Sequence, residues 1–350
     1  MKEMSHLERL EATMKGEADR VAVFDFSCIS MSQSQGYIWD DVRYDVDTSV
    51  EILKKHAKAV RHDMTYGPIE PNAIYHDLDM KASFSKNNYS GILGAYFETP
   101  EDIDSKELYD LKDSSTCPHA YSGLIAKTEA FAKAFEKDES RTAIANVCWG
   151  PFTITGFLRG VENLLMDTFI APADAEKAYS KGEKLFEDFA EVTLNMGIDV
   201  FYSGDPTSSG DMIDIDTFRK YSVPTYSRIH QMAKNKYGIP SVLHICGNTS
   251  NLVPAIPDSK CDGFSFDYMN DLASFKEEIG DRVVLTGNIP PVDVIWKGTP
   301  DSIMMAGKKC IEQAGKGGRF MLASGCEHPR DTPLENAIAL REAAEKYGKY

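Results

Sequence analysis

A chain of 350 residues, with 42% hydrophobic and 26% charged residues, is long enough to bury a large core and has the balance of an ordinary globular protein. Its formal net charge of −16 argues against nucleic acid as a partner, because phosphate binding needs a basic surface, and no apolar run approaches the roughly 20 residues that span a bilayer. The first six residues lack the apolar centre of a signal peptide, and the seven cysteines are odd in number and scattered, so a cytoplasmic protein without a disulfide framework is expected. In chain order, a short apolar run at 21–26 is followed by an amphipathic stretch at 50–61, with Ile52, Leu53, Ala57, Val60 and His56 on one side. Residues 67–123 are polar, Tyr-rich and without clean periodicity, and are read as an insertion or lid. Further apolar runs follow at 142–147, 199–203, 241–246, 263–267, 283–288 and 319–325, with helical patterns at 173–195, 217–237, 301–314 and 333–347 between and after them. Thr299-Pro300 and Thr332-Pro333 each read as an N-cap followed by Pro at the first helical position. Runs of four to eight residues without alternation suit buried parallel strands. Strand–helix alternation on this scale predicts a parallel sheet with helices outside. Seven runs plus one lacking a clear signature fit a (β/α)8 barrel, a single α/β domain over 1–350 with an N-terminal extension and the 67–123 insertion. A doubly wound open sheet is the alternative, weakened in its dinucleotide-binding form because no G-x-G-x-x-G follows any run.

In a barrel the chemistry gathers at the C-terminal ends of the strands, which here carry Asp25, Asn146, Asp205, His244, Cys246, Asp267, Asn288 and Cys326. His244 and Cys246, two apart on a strand, project to one face. Cys326 follows Cys246 by 80 positions (326 − 246), too far for a local zinc knuckle, and meets the pair only in a fold that returns strand ends to one rim. An imidazole and two thiolates suit Zn²⁺, and three protein ligands leave a fourth position for substrate, which fits activation of an incoming thiol. Asp205 is a fourth ligand, a partner of His244 or a turn residue. Asn288 bonds substrate or closes the turn before Pro290-Pro291. Tyr202 and Asn146 complete the expected substrate contacts, with Trp149 and Phe266 as pocket walls or core. Glu327 is read like Asp205, and His328 as a loop residue. His62, Asp63 and Tyr66 form a polar cluster without metal spacing, and 31–37 is a candidate substrate-contact loop.

Several segments resemble the corrinoid:coenzyme M methyltransferases of the uroporphyrinogen decarboxylase superfamily. They are Asp205-Pro206-Thr207-Ser208-Ser209-Gly210-Asp211, Leu243-His244-Ile245-Cys246-Gly247-Asn248, Leu285-Thr286-Gly287-Asn288-Ile289, and the stretch from Gly325-Cys326-Glu327 to Thr332-Pro333. Arg9 to Val23, Gly150-Pro151-Phe152-Thr153 and Leu158-Arg159-Gly160 resemble the same superfamily, while 67–123 matches it loosely. The resemblance implies a (β/α)8 barrel and a zinc held by His244, Cys246 and Cys326. It also implies transfer of a methyl group between a methylated corrinoid (cobalamin) on a partner protein and a zinc-activated thiol such as coenzyme M. The alternatives are the demethylating direction on a methylated small molecule, and a decarboxylase acting on a tetrapyrrole. The decarboxylase branch carries an Arg-Gln-Ala-Gly-Arg segment after the first strand, where this chain has Ser27-Cys28-Ile29-Ser30-Met31-Ser32. Glu327-His328 also departs from the small or apolar residues expected of coenzyme M enzymes.

Overall fold

The protein is described by a computed structural model covering residues 3–136, 138 and 141–350. Nine short strands form the main sheet: β1 (Ala22–Asp25), β2 (Met64–Thr65), β3 (Ala143–Ile144), β4 (Cys148–Trp149), β5 (Phe201–Gly204), β6 (Ser241–Ile245), β7 (Gly263–Phe266), β8 (Val284–Ile289) and β9 (Phe320–Ser324). Their order is β3-β2-β1-β9-β8-β7-β6-β5-β4, with every pairing parallel. The two ends of this order are neighbours in sequence, and Ala145 between them bridges Val200 just before β5, again in parallel. β3 and β4 are thus one interrupted strand, and the sheet closes into the eight-position barrel expected from the alternation.

The strand with no clear signature is β2. Only Met64 and Thr65 pair, too short a run to show a periodicity, although both are fully enclosed. The other strands read clearly because they are buried on both faces. Phe24, Ile144, Phe201, Leu243, Phe264, Leu285 and Leu322 are each 0% exposed, so the runs are apolar without alternation. Connecting helices include Val46–Val60, Pro172–Thr193, Ile215–Met232, Pro300–Ala314 and Leu334–Tyr347, close to the expected spans. Thr299 caps its helix as expected, in a reciprocal capping box with Ser302. Thr332 does not: Pro333 occupies the cap position with no side-chain bond, and the Thr332 hydroxyl is buried without a partner.

The N-terminal helix His6–Lys15, boxed by Ser5 and Glu8, is fastened to the barrel by Asp63, which immediately precedes β2. Asp63 accepts from His6 (2.8 Å), Arg9 (2.7 Å), Arg20 (3.0 Å) and the Val23 amide (2.8 Å). At the opposite end of the strands lies the segment between β2 and β3, with the antiparallel pair Ala82–Ser83 and Gly91–Ile92. It is tied down by buried Glu70, which accepts from Arg43, Trp39 and the Ser90 amide. The buried Lys127 ammonium donates to the carbonyls of Val42 (2.7 Å) and Pro68 (2.9 Å), and burial lowers its pKa to about 7.

Candidate metal centre

β6 carries His244 and leads directly into Cys246, and β9 leads into Cys326. Parallel closure brings the ends of these non-adjacent strands to one rim. The His244 Nε2, Cys246 Sγ and Cys326 Sγ atoms all lie within 4.8 Å of one another. Nε2 is 2.9 Å from Cys246 Sγ, which is 3.4 Å from Cys326 Sγ. The other ring nitrogen, Nδ1, is 3.0 Å from the Ser265 hydroxyl of β7, the residue directly across from His244 in the ladder. The donor set therefore fits a thiophilic ion: two sulfurs and one ring nitrogen converge, and the second nitrogen is already engaged. Cys326 is the better thiolate. A hydrogen bond from Cys246 and the neighbouring His244 hold its pKa well below the ordinary thiol value, while the same sharing and burial hold Cys246 up.

The glycines beside both cysteines have a packing reason. Gly247 has φ 76°, and a Cβ there would lie 2.5 Å from Ser209 Oγ and 2.8 Å from Asp211 Oδ2. A Cβ on Gly325 would lie 2.5 Å from the Tyr268 amide nitrogen. The cysteine loops are thus pressed against neighbouring mouth loops. Asp267 ties these loops together by accepting from the amides of Gly247 (3.1 Å) and Tyr268 (2.7 Å), and burial raises its pKa. Beneath these three side chains the barrel interior is aromatic. Phe26 sets its edge on the His244 ring at 4.9 Å, Tyr202 stacks on it at 6.2 Å, and Tyr66 packs on both.

Glu327, next to Cys326, has both carboxylate oxygens 2.8 Å from the Tyr89 hydroxyl of the inserted segment. Burial, and then the proximity of Cys326, push its pKa up to about 8. His328 is held from below: its Nδ1 is 2.9 Å from Ser27 Oγ, which donates to Asp25 at 2.7 Å, and Asp25 is 2.8 Å from His56 Nε2. Burial lowers His328 to about 4, so its ring is neutral at physiological pH.

The four expected substrate contacts separate. Tyr202 lines the centre and its buried hydroxyl has no partner. Asp205 belongs to the scaffold: fully buried, its carboxylate accepts from the Thr153 amide and hydroxyl, Ser208 and Tyr226, so neither oxygen is left for a metal or for His244. Asn146 is spent on the interrupted strand, accepting from the Tyr202 amide and donating to Thr193. Asn288 is 8% exposed and donates to the carbonyls of Asn270 (3.0 Å) and Asp267 (3.4 Å), bracing the Asp267 loop. The His62, Asp63 and Tyr66 cluster disperses, since His62 bonds the Ala337 carbonyl, Asp63 holds the N-terminal helix and Tyr66 faces the centre. The 31–37 stretch begins in the helix Ile29–Gln33 and is bonded to the scaffold through Gln33–Asp331 and Gln35–Ile52. Sequence reasoning missed Ser265 and Tyr89. Ser265 shares the face of Asp267 two residues on, a period-2 signal that was present. Tyr89 lies where no periodicity exists.

The uroporphyrinogen decarboxylase family model matches residues 6–347. Among curated proteins, a methylcobamide:CoM methyltransferase of Methanosarcina acetivorans is 25% identical over 99% of both chains. A methylated-thiol–coenzyme M methyltransferase of Methanosarcina mazei is 24% identical over 77% of this chain and 68% of its own. Among solved structures, a methyltransferase from Methanosarcina mazei superposes with a TM-score of 0.82 over 99% of both chains at 22% identity, a likeness of fold.

Proposed function

The chain belongs to the uroporphyrinogen decarboxylase family, and from that premise we propose that it is a zinc-dependent methyltransferase moving a methyl group between a protein-bound methylcorrinoid and a thiol. The carrying observation is the convergence of His244, Cys246 and Cys326 within 4.8 Å at the C-terminal rim of the barrel. Similarity to methylcobamide- and methylated-thiol-dependent enzymes supports the methyl chemistry. Bound zinc would lower the pKa of a coordinated thiol enough to hold it as thiolate at neutral pH.

The chain's residues supply the rest. His244 presents Nε2 because Ser265 engages Nδ1, and Cys246 and Cys326 close two sides of the centre. Phe26, Tyr66 and Tyr202 form an apolar floor that keeps water from below. Tyr89 and Glu327 bound it laterally. In such a transfer the thiol sulfur would supply the electron pair of the new carbon–sulfur bond, the pair of the broken carbon–cobalt bond would stay with the corrinoid co-substrate, and the thiol proton would be released. Decarboxylation of a tetrapyrrole polycarboxylate fits less well, since Ser27 to Ser32 offers that substrate no cation.

The test is metal content together with thiol-dependent demethylation of methylcobalamin by the purified protein. About one zinc per chain, lost in Cys246→Ala and Cys326→Ala variants along with turnover, is expected for a three-ligand site. Full turnover in a metal-free variant would sink the proposal.

A further inference from the structure

The seven cysteines all carry free thiols, and their surroundings divide them. Cys28, Cys117, Cys148, Cys261 and Cys310 are buried. Cys28 and Cys117 spend their thiols on backbone carbonyls, of Ile69 at 3.4 Å and of Asp113 at 3.4 Å. Cys246 and Cys326 alone among the seven keep some exposure, and they are also the two whose sulfurs touch, at 3.4 Å. They come from strands that are not neighbours, so closure of the barrel, and not nearness in the chain, makes this contact.

A disulfide holds its sulfurs about 2.05 Å apart, so from 3.4 Å the pair has to close by about 1.4 Å, a distance within reach of side-chain rotation. Cys246 follows the last residue of β6 and Cys326 lies just past the end of β9, so turning either side chain breaks no ladder bond. Gly247 and Gly325 press the two loops against neighbouring loops, which keeps the sulfurs facing each other while the side chains turn. The His244 ring is independent of the pairing, because the Ser265 hydroxyl engages its Nδ1 at 3.0 Å.

We infer that in the metal-free protein Cys246 and Cys326 form a disulfide when they meet a low-molecular-weight disulfide, and that this bond shuts zinc out of the centre until it is reduced. The inference rests on the metal part of the reading above and not on methyl transfer. The step balances by exchange. One cysteine sulfur bonds to a sulfur of the small disulfide and releases its other half as a thiol, and the second cysteine sulfur then displaces the remaining half as a second thiol. The two cysteine protons end on the two released thiols, and the two electrons lost by the cysteines reduce the small disulfide. The product engages both sulfurs covalently, so two of the three metal donors are lost and His244 alone is left. Bound metal occupies the same sulfurs, so metal and disulfide exclude each other. An oxidised pool of small thiols thereby closes the centre, and a reduced pool reopens it.

The experiment treats the full chain, reduced and stripped of metal, with bis(2-hydroxyethyl) disulfide and follows intact mass, disulfide-linked peptides and zinc uptake. The expected product is lighter by two hydrogens, retains no reagent, yields a linked peptide pair containing Cys246 and Cys326, and takes up no zinc until dithiothreitol restores uptake. The zinc-loaded protein is expected to stay reduced over the same interval. Cys246→Ser and Cys326→Ser are each expected to retain the reagent thiol, since the mixed disulfide then has no second sulfur to resolve it. A metal-free wild type that carries reagent thiols without an internal bond, or that stays reduced, overturns the inference. Full zinc uptake by the disulfide form overturns it as well. If the reduced protein takes up no zinc, the metal reading fails and the inference fails with it. A chain that passes every step but demethylates no methylcobalamin upholds the inference and loses methyl transfer alone.

Discussion

The imidazole of His244 offers Nε2 to the two sulfurs only while something holds Nδ1, and the Ser265 hydroxyl at 3.0 Å does so. Ser265→Ala frees the ring to change tautomer and to tilt without removing any ligand atom. The expected result is zinc affinity lower by about 10–100-fold with the fold intact, measured by competition against a chelator of known affinity. Unchanged affinity would show that Phe26 and Tyr202 packing alone orients the ring. At this scale the convergence of His244, Cys246 and Cys326 was legible because a His and a Cys two apart share a strand face and a barrel returns its strand ends to one rim. Asp205 and Asn146 misled for a physical reason. A polar side chain at a strand end either faces the mouth or turns back to satisfy backbone and hydroxyl donors, and sequence does not distinguish the two. Thr153, Ser208 and Tyr226 claim Asp205, and the interrupted strand claims Asn146.

Helices and strands were legible in proportion to how long each repeats one environment. Strands β5 to β9 run for four to six buried residues and stand out, whereas β2 contributes two residues and vanishes into its flanks. The segment between β2 and β3 is unreadable because side-chain bonds to Glu70 hold it, rather than a periodic apolar face. The two Thr-Pro helix starts separate pattern from mechanism. Thr299 closes a capping box, so Thr299→Ala is expected to cost about 0.5–2 kcal/mol in urea unfolding. Thr332 caps nothing and its buried hydroxyl lacks a partner, so Thr332→Ala is expected to be neutral within about 0.5 kcal/mol or slightly stabilising. Equal losses in the two variants would mean that the shared Thr-Pro sequence, not the observed bonds, sets helix stability.

Across the whole molecule, two buried carboxylates, Asp63 and Asp205, sit in opposite electrostatic arrangements. At the base, Asp63 gathers His6, Arg9 and Arg20, and these partners hold its carboxyl well below the usual carboxylate range despite complete burial. Inside the barrel wall, Asp205 has hydrogen-bond donors but no cation, and burial raises its pKa. The two contribute to stability with opposite sign. A depressed folded pKa gives Asp63 a stabilising contribution that is present above its unfolded value of about 3.9 and is lost as pH falls through that value towards the folded one. A raised pKa makes the Asp205 contribution greatest in acid and diminishing as pH rises through its folded value. Asp63→Asn leaves Arg20 buried without its carboxylate and loosens the N-terminal helix, and is expected to cost about 3–5 kcal/mol at neutral pH. The discriminating measurement is the stability difference between wild type and variant as pH is lowered. It is expected to hold steady down to about pH 5 and to shrink below about pH 4, because protonation removes from the wild type what the substitution removed from the variant. A difference that stays constant into acid would mean that the clasp acts through shape and neutral hydrogen bonds, and that the charges of Arg9 and Arg20 are balanced without Asp63.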